Sequence, residues 1–252
     1  MWLTIILAAV AVAFLLLIVV ASRSVTIPRQ IGPDEGIDDT EIVKAYDRIS
    51  QWPQFRAIRR IIIKELKRHH PQGTLVDVGC GPGYLLIDMA RAFNDLKFIG
   101  VDISSQMLEK ATGNIASKGL IKRISFRAGD IQGLPFESNS LDFVVSTLSL
   151  HHWLQPRQGF EEILRVLKPG GQFLVFDLKR NSPRLVYWLL RFAQSLILPA
   201  ALGGINEPTS SFLASYTPAE IESLMKDTGF KTWHVRAGLF WSFTWGQKQA
   251  HD

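Results

Sequence analysis

The chain predicts an α/β fold, a mostly parallel sheet covered by helices on both faces, and three observations carry that prediction. Strand-like apolar runs at residues 74–78, 97–101, 123–128, 141–146 and 171–177 alternate with helical stretches or loops long enough to cross over, which is the pattern of a parallel sheet. The first of these runs, Leu75-Val76-Asp77-Val78, passes directly into Gly79-Cys80-Gly81-Pro82-Gly83-Tyr84. Two further strand-like runs, 231–237 and 239–246, close the chain. Its 252 residues accommodate one domain of this kind with some additions, and a second complete domain would be a tight fit.

Taken in order, residues 2–21 carry only Thr4 as a polar side chain and are long enough to cross a bilayer as a helix. A cleavable secretory signal is the rival reading, but no Lys or Arg precedes the apolar run and Val20-Ala21-Ser22-Arg23 is a poor cleavage site, so the expectation is a retained transmembrane anchor. Arg23 and Arg29 flank its C-terminal side, and the positive-inside tendency then places the folded part at the membrane's cytoplasmic side. Residues 22–39, with Pro28, Gly32, Pro33 and Gly36, read as a linker. The globular domain is expected over 40–252.

Residues 40–70 turn helical. Asp39 or Thr40 can cap the start, Pro53 should interrupt the run, and Pro71 and Gly73 close it, giving two helices ahead of the first strand. The second holds Arg56, Arg59, Arg60, Lys64, Lys67 and Arg68 in a chain of net charge +5 and pI about 9.4. Nucleic acid, anionic lipid or plain water could face that cluster; no aromatic-interleaved basic groove or nucleic-acid motif accompanies it. Cys80 is the single cysteine, which excludes an intramolecular disulfide and agrees with a cytosolic environment.

After the fifth strand the simple repeat ends in an apolar insert over about 183–216. Leu185, Trp188, Leu189, Phe192 and Leu196 recur at steps of three and four while Arg184 and Arg191 stay off the stripe, so this is an amphipathic helix rather than a second span. Its stripe could pack on the core, line a pocket or face a membrane. Thr217-Pro218-Ala219-Glu220 reads as a capping box opening one more helix, which ends at Gly229.

The chemistry concentrates at strand ends. Glycine at alternate positions lets the backbone turn sharply and approach a ligand closely, and the helical residues that follow deliver the ligand to a helix N-terminus. Such a loop alone is shared by NAD, FAD and S-adenosylmethionine sites. The second strand ends in Gly100-Val101-Asp102, where an acid can accept two hydrogen bonds from a ribose diol. The third ends in Gly129-Asp130-Ile131, where an acid can receive an adenine amino group. Asp at a strand end is also an ordinary turn residue; three such features at successive strand ends are harder to dismiss.

With Val166-Leu167-Lys168-Pro169-Gly170-Gly171-Gln172-Phe173 and the run from Gly129 to Val144, these motifs resemble the class I S-adenosylmethionine-dependent methyltransferases over about residues 45–247. That resemblance implies a Rossmann-like, seven-stranded, mostly parallel sheet whose last two strands form an antiparallel pair. It implies S-adenosylmethionine as cofactor, with Asp77, Gly79, Gly81 and Gly83 at the methionine part, Asp102 and Ile103 at the ribose side, and Asp130 and Ile131 at the adenine. Charge agrees, since a carboxylate favours a sulfonium and an ammonium and would repel a pyrophosphate. His151 and His152, after the fourth strand, are the candidate bases, with capping of the following loop as their alternative. Tyr46 and Trp52 from the N-terminal helices, and Trp188, Phe192, Phe212 and Tyr216 from the insert, are expected to line an apolar acceptor pocket.

Negatives narrow the acceptor. No Asn-Pro-Pro-Tyr or Asp-Pro-Pro-Tyr run follows the fourth strand, one cysteine cannot form a multi-thiol site, and no useful metal-ligand spacing occurs. The expected activity is methylation of a hydrophobic small molecule such as a quinol or lipid. Methylation of protein or RNA, and a non-catalytic cofactor-binding scaffold, stand as alternatives.

Overall fold

The computed structural model describes residues 24, 27–30 and 38–250. Seven strands form one sheet: β1 (Thr74–Val78), β2 (Lys97–Asp102), β3 (Ile124–Ala128), β4 (Leu141–Thr147), β5 (Leu167–Leu178), β6 (Thr232–Ala237) and β7 (Trp241–Gln247), in spatial order β3-β2-β1-β4-β5-β7-β6. The first five are parallel, and β7 runs antiparallel between β5 and β6. The seven-stranded Rossmann-like sheet with its closing antiparallel pair is therefore as expected.

The transmembrane part of the expectation is corrected. Residues 2–21 lie outside the described residues, and among the described residues no helix is long and apolar enough to cross a membrane. A membrane-spanning location is accordingly not carried further.

Central strands read as continuous apolar runs because both their faces are covered. Leu75, Phe98, Phe143, Leu174 and Phe176 pack one face; Val76, Val101, Val144, Phe173 and Val175 pack the other. Each fully buried phenylalanine here is worth about 3–5 kcal/mol against truncation to Ala, so the two layers fix the strand ends that carry the polar residues.

Helices α1 (Thr40–Ser50) and α2 (Pro53–Arg68) precede the sheet. Asp39 caps α1 by accepting from the Glu41 and Ile42 amides, and Pro53 stands at the first turn of α2, where its missing N–H costs nothing. Helix α3 (Tyr84–Ala92) leaves the glycine loop, α4 (Ser105–Ala116) follows β2, and α5 (Pro156–Val166) precedes β5. The insert contains α6 (Arg184–Leu196), α7 (Ala200–Gly204) and α8 (Thr209–Ala214); α9 (Pro218–Lys226) opens with the expected reciprocal Thr217–Glu220 capping box. Helix α7 packs on α1, building a satellite cluster of Ala45, Ile49 and Leu202 with Tyr46 and Trp52 at its margin.

Two findings depart from the expected pattern. Strand β5 starts at Leu167 rather than Gly171, because the Lys168-Pro169-Gly170-Gly171 turn is held in the sheet by pairing of Leu141 with Leu167. Helix α6 has no buried residue, and its apolar stripe, from Leu185 to Leu196, is 50% to 72% exposed. Core packing therefore does not account for that stripe.

Candidate active site

The glycine loop leaves β1 in a conformation few residues tolerate. Gly79, Gly81 and Gly83 have φ of 74°, 49° and 80°, where a side chain costs roughly 1–2 kcal/mol. Space separates their roles: a Cβ on Gly79 would stand 2.6 Å from Ser149 Oγ, whereas one on Gly81 would meet no atom within 4 Å. The loop is anchored by the Gly79 and Cys80 amides donating to Val101 O at 2.8 and 3.0 Å.

Two acids border this loop. Asp77 is buried, its Oδ1 has no hydrogen-bond partner, and burial followed by the charge of Asp102 pushes its pKa well above the usual carboxylate range. Asp102 accepts from the Gly81 amide at 2.7 Å and the Ser104 amide at 3.0 Å. Burial raises its pKa, opposed by backbone donors at Ser104, Gly81 and Ile103. Ile103 beside it is 46% exposed. Cys80, inside the loop, is buried, and burial with the charges of Asp102 and Asp77 pushes its thiol up, so it is a poor nucleophile.

Asp130 and Ile131 follow the end of β3. Asp130 accepts from the Gln132 amide at 2.9 Å and the Gln132 side chain at 3.2 Å, closing its own turn, and Ile131 is buried in the core with Val101 and Trp153.

At the end of β4 the chain passes through Leu148 at φ 54°, an uncommon conformation for a bulky residue, and enters a single 3-10 turn, Leu150–His152. Ser149, against Gly79, also accepts from the Trp153 indole at 3.1 Å, so this turn is locked beside the glycine loop. His151 is buried. Its Nδ1 lies 2.8 and 2.9 Å from the two oxygens of Asp177 at the end of β5, and its backbone amide donates to Asp177 Oδ2 at 2.9 Å. Asp177 is acceptor-only when ionised, which puts the proton on Nδ1 and leaves Nε2 as an acceptor. His151 Nε2 is buried with no hydrogen-bond partner. Burial alone would lower the His151 pKa, but the charge and hydrogen bond of Asp177, aided by Glu207 and opposed by Arg29, hold it above the ordinary value. The His152 ring packs against that of His151, 4.1 Å between centroids and tilted by 43°, and is less enclosed.

The insert and the segment at 27–30 complete the surroundings. Helix α8 packs on the His151 turn. Just before α8, Glu207 is buried and accepts from Ser210 and Ser211 hydroxyls at 2.7–2.8 Å. Burial, and then the Glu207 charge, push the Tyr46 phenol well above its usual pKa, and the same charge acts on His151. Arg29 donates to Ala214 O at 2.7 Å and His151 O at 3.5 Å and covers the Tyr216 ring at 4.2 Å. Arg180, fully buried, ties Ile27 O and Ser215 O to Glu220.

His151, Tyr216 and Tyr46 are thus brought to one region. Trp52 stays in the satellite cluster, and Phe212 is buried against Tyr187. Trp188 and Phe192 lie on the exposed face of α6. Sequence reasoning missed Asp177, Glu207 and Arg29. Asp177 had a signal, an acid ending the strand next to the one that leads to His151, in the way Asp102 ends β2; the other two had none.

The residues fit a cationic cofactor: an orphaned buried carboxylate oxygen at Asp77, a second acid at Asp102, and open space above Gly81. Known proteins agree. Residues 76–175 match the family model described as a methyltransferase domain. A demethylmenaquinone methyltransferase of Symbiobacterium thermophilum is 32% identical over 173 residues, 64% of this chain and 69% of that protein. The chain belongs to the class I S-adenosylmethionine-dependent methyltransferases. A ubiquinone/menaquinone biosynthesis C-methyltransferase of Geotalea daltonii is 27% identical over 204 residues, 79% of this chain and 84% of that one. In fold, a Methanococcus maripaludis protein assigned to the S-adenosyl-L-methionine-dependent methyltransferases matches with a TM-score of 0.67 at 24% identity, covering 87% of this chain and 98% of that chain. This chain is accordingly a methyltransferase enzyme with S-adenosylmethionine as its cofactor.

Proposed function

We propose that this methyltransferase methylates a hydrophobic, hydroxylated ring, a quinol in the first instance, and that His151 is the base that removes the acceptor's proton. The single observation that carries the reading is the buried, unpartnered Nε2 of His151, aimed away from an Asp177 carboxylate that holds the other nitrogen. A histidine serving only as a loop cap would have no reason to leave that acceptor unused in the interior, where an unpaired polar atom costs about 1–3 kcal/mol. The similarity to enzymes named for menaquinone and ubiquinone biosynthesis supports the quinol class.

When bound, the cofactor supplies an electrophilic methyl group on a sulfonium. Asp77 would take the ammonium of its methionine part and Asp102 the ribose hydroxyls, with Ile103 against the base; Gly81 leaves room for close approach. Asp130 would accept from the adenine amino group on a lone pair left beside its Gln132 contacts. At the acceptor end, His151 Nε2 accepts the hydroxyl proton, and Asp177 stabilises the imidazolium that forms. Electron density released into the ring makes the oxygen, or a ring carbon conjugated with it, the nucleophile; in the second case the carbon that gains the methyl group then loses its own proton to solvent and the oxygen regains one from the imidazolium, which restores the aromatic ring. Tyr46 and Tyr216 form the walls, and Arg29 closes the segment over them, which excludes water and holds the in-line geometry.

Label transfer tests the reading. Purified protein, tritiated S-adenosylmethionine and a reduced, unmethylated 1,4-naphthohydroquinone should give label in the organic phase and a product heavier by one methylene. Label found instead in protein or RNA of an extract would move the assignment to a macromolecular acceptor, and cofactor binding without transfer would favour a scaffold.

A further inference from the structure

Helix α6 presents Leu185, Trp188, Leu189, Phe192, Leu196 and the following Ile197 to solvent. From Leu185 to Ile197 the stripe is about 18 Å long at about 1.5 Å per residue, and contiguous apolar surface of this kind marks a binding face. Its occupant is indicated by what adjoins it. Near its start the stripe enters a cavity of about 290 Å³ lined by Ile27, Arg180, Arg184, Tyr187, Trp188 and Phe212. The cavity walls are also the elements around His151: Arg180 stands three residues beyond Asp177, Phe212 lies on α8, which packs against the His151 turn, and Ile27 precedes Arg29, whose guanidinium reaches His151 O. The outer stripe and the base are therefore joined by one set of elements.

We propose that α6 is a tail-binding track: the isoprenoid or alkyl chain of the acceptor leaves the His151 region through this cavity and lies along Trp188, Leu189, Phe192 and Leu196. The proposal rests on the reading of the acceptor as a hydrophobic ring compound. An extended apolar chain laid on the stripe removes both surfaces from water and is thin enough to fill the adjoining cavity as well; a second copy of the chain or a lipid surface would cover the stripe and leave the cavity without a role.

The double substitution Leu189→Ser/Leu196→Ser tests this, since both side chains are exposed and their loss leaves the core intact. With a bare 1,4-naphthohydroquinone and the same ring carrying an isoprenoid chain as probes, the ratio of kcat/KM for tailed over bare acceptor should fall about tenfold in the variant. Calorimetry with farnesol supplies a readout free of turnover: binding to the wild type, and to a His151→Ala variant, with binding about tenfold weaker in the double variant. Failure of the base reading alone would leave the farnesol result standing. An unchanged acceptor ratio, or equal farnesol binding in the double variant, overturns the track. So does a wild-type dimer dissolved by the substitutions, or loss of sedimentation with phosphatidylglycerol vesicles while the acceptor ratio holds.

Discussion

Replacing Asp177 by Asn isolates the dyad. The wild-type carboxylate takes three N–H donors: the His151 ring Nδ1, shared between both oxygens at 2.8 and 2.9 Å, the His151 amide at 2.9 Å and the Leu178 amide at 2.7 Å. Asn keeps the shape but turns one acceptor into a donor. Its NH2 replaces either Oδ1, which accepts from the Leu178 amide, or Oδ2, which accepts from the His151 amide, so in both orientations it meets a backbone N–H, an unpaired contact costing about 1–3 kcal/mol; where it also takes over the contact to Nδ1, the proton moves to Nε2 and the base is lost. A stability loss of that size lowers Tm by roughly 2–12 °C for a domain of this length, so the variant stays folded at 25 °C. Loss of general-base catalysis lowers kcat/KM by about 10²- to 10⁴-fold, about 3–5 kcal/mol in the barrier. The pH profile gives the sign. Neutral His151 is the active form and its pKa is raised, so wild-type kcat/KM should climb with pH to a midpoint above 6.5; without the Asp177 charge, burial dominates and any residual activity should have its midpoint lower. Steady-state label transfer from pH 5.5 to 9, with cofactor affinity by calorimetry as control, is the assay. Retention of activity within about threefold, with an unmoved midpoint, would refute the base assignment.

The remaining predictions concern the cofactor loop and the insert. Because Asp77 is harder to ionise folded than unfolded, it withdraws stability as pH rises above its unfolded value of about 3.9; Asp77→Asn should therefore unfold at a higher temperature than wild type at pH 7 without cofactor, yet bind S-adenosylmethionine at least tenfold more weakly, by scanning and titration calorimetry. Gly79→Ala, which meets Ser149, should lose about 1–3 kcal/mol of stability in denaturant melts, whereas Gly81→Ala, with open space around its Cβ, should lose less stability and more cofactor affinity. Glu207→Gln removes one charge that raises the His151 pKa, so the acidic limb of the rate profile should move to lower pH. Cys80 should resist Ellman's reagent in the native state and react fully in denaturant, as its burial dictates.

The sheet was legible because each central strand is buried on both faces, so apolar runs and their crossovers announce it directly. Capping at Thr217 and the break at Pro53 were equally local. What escaped were partnerships between residues distant in sequence. Asp177 meets His151 because β4 and β5 are neighbours, and Arg29 meets Tyr216 because segment 27–30 docks on the insert; neither pairing leaves a pattern of period 2 or 3.6. The α6 stripe was read correctly as amphipathic, but periodicity cannot tell what covers an apolar face.

The central claim, a neutral His151 with a free Nε2 acceptor, is tested most directly by ¹⁵N NMR of histidine side chains across pH, with His151 assigned by its absence in the His151→Ala variant. The Nδ1-protonated tautomer is expected at neutral to alkaline pH, with a midpoint above 6.5. A proton on Nε2, or a midpoint below 6.5, would contradict it.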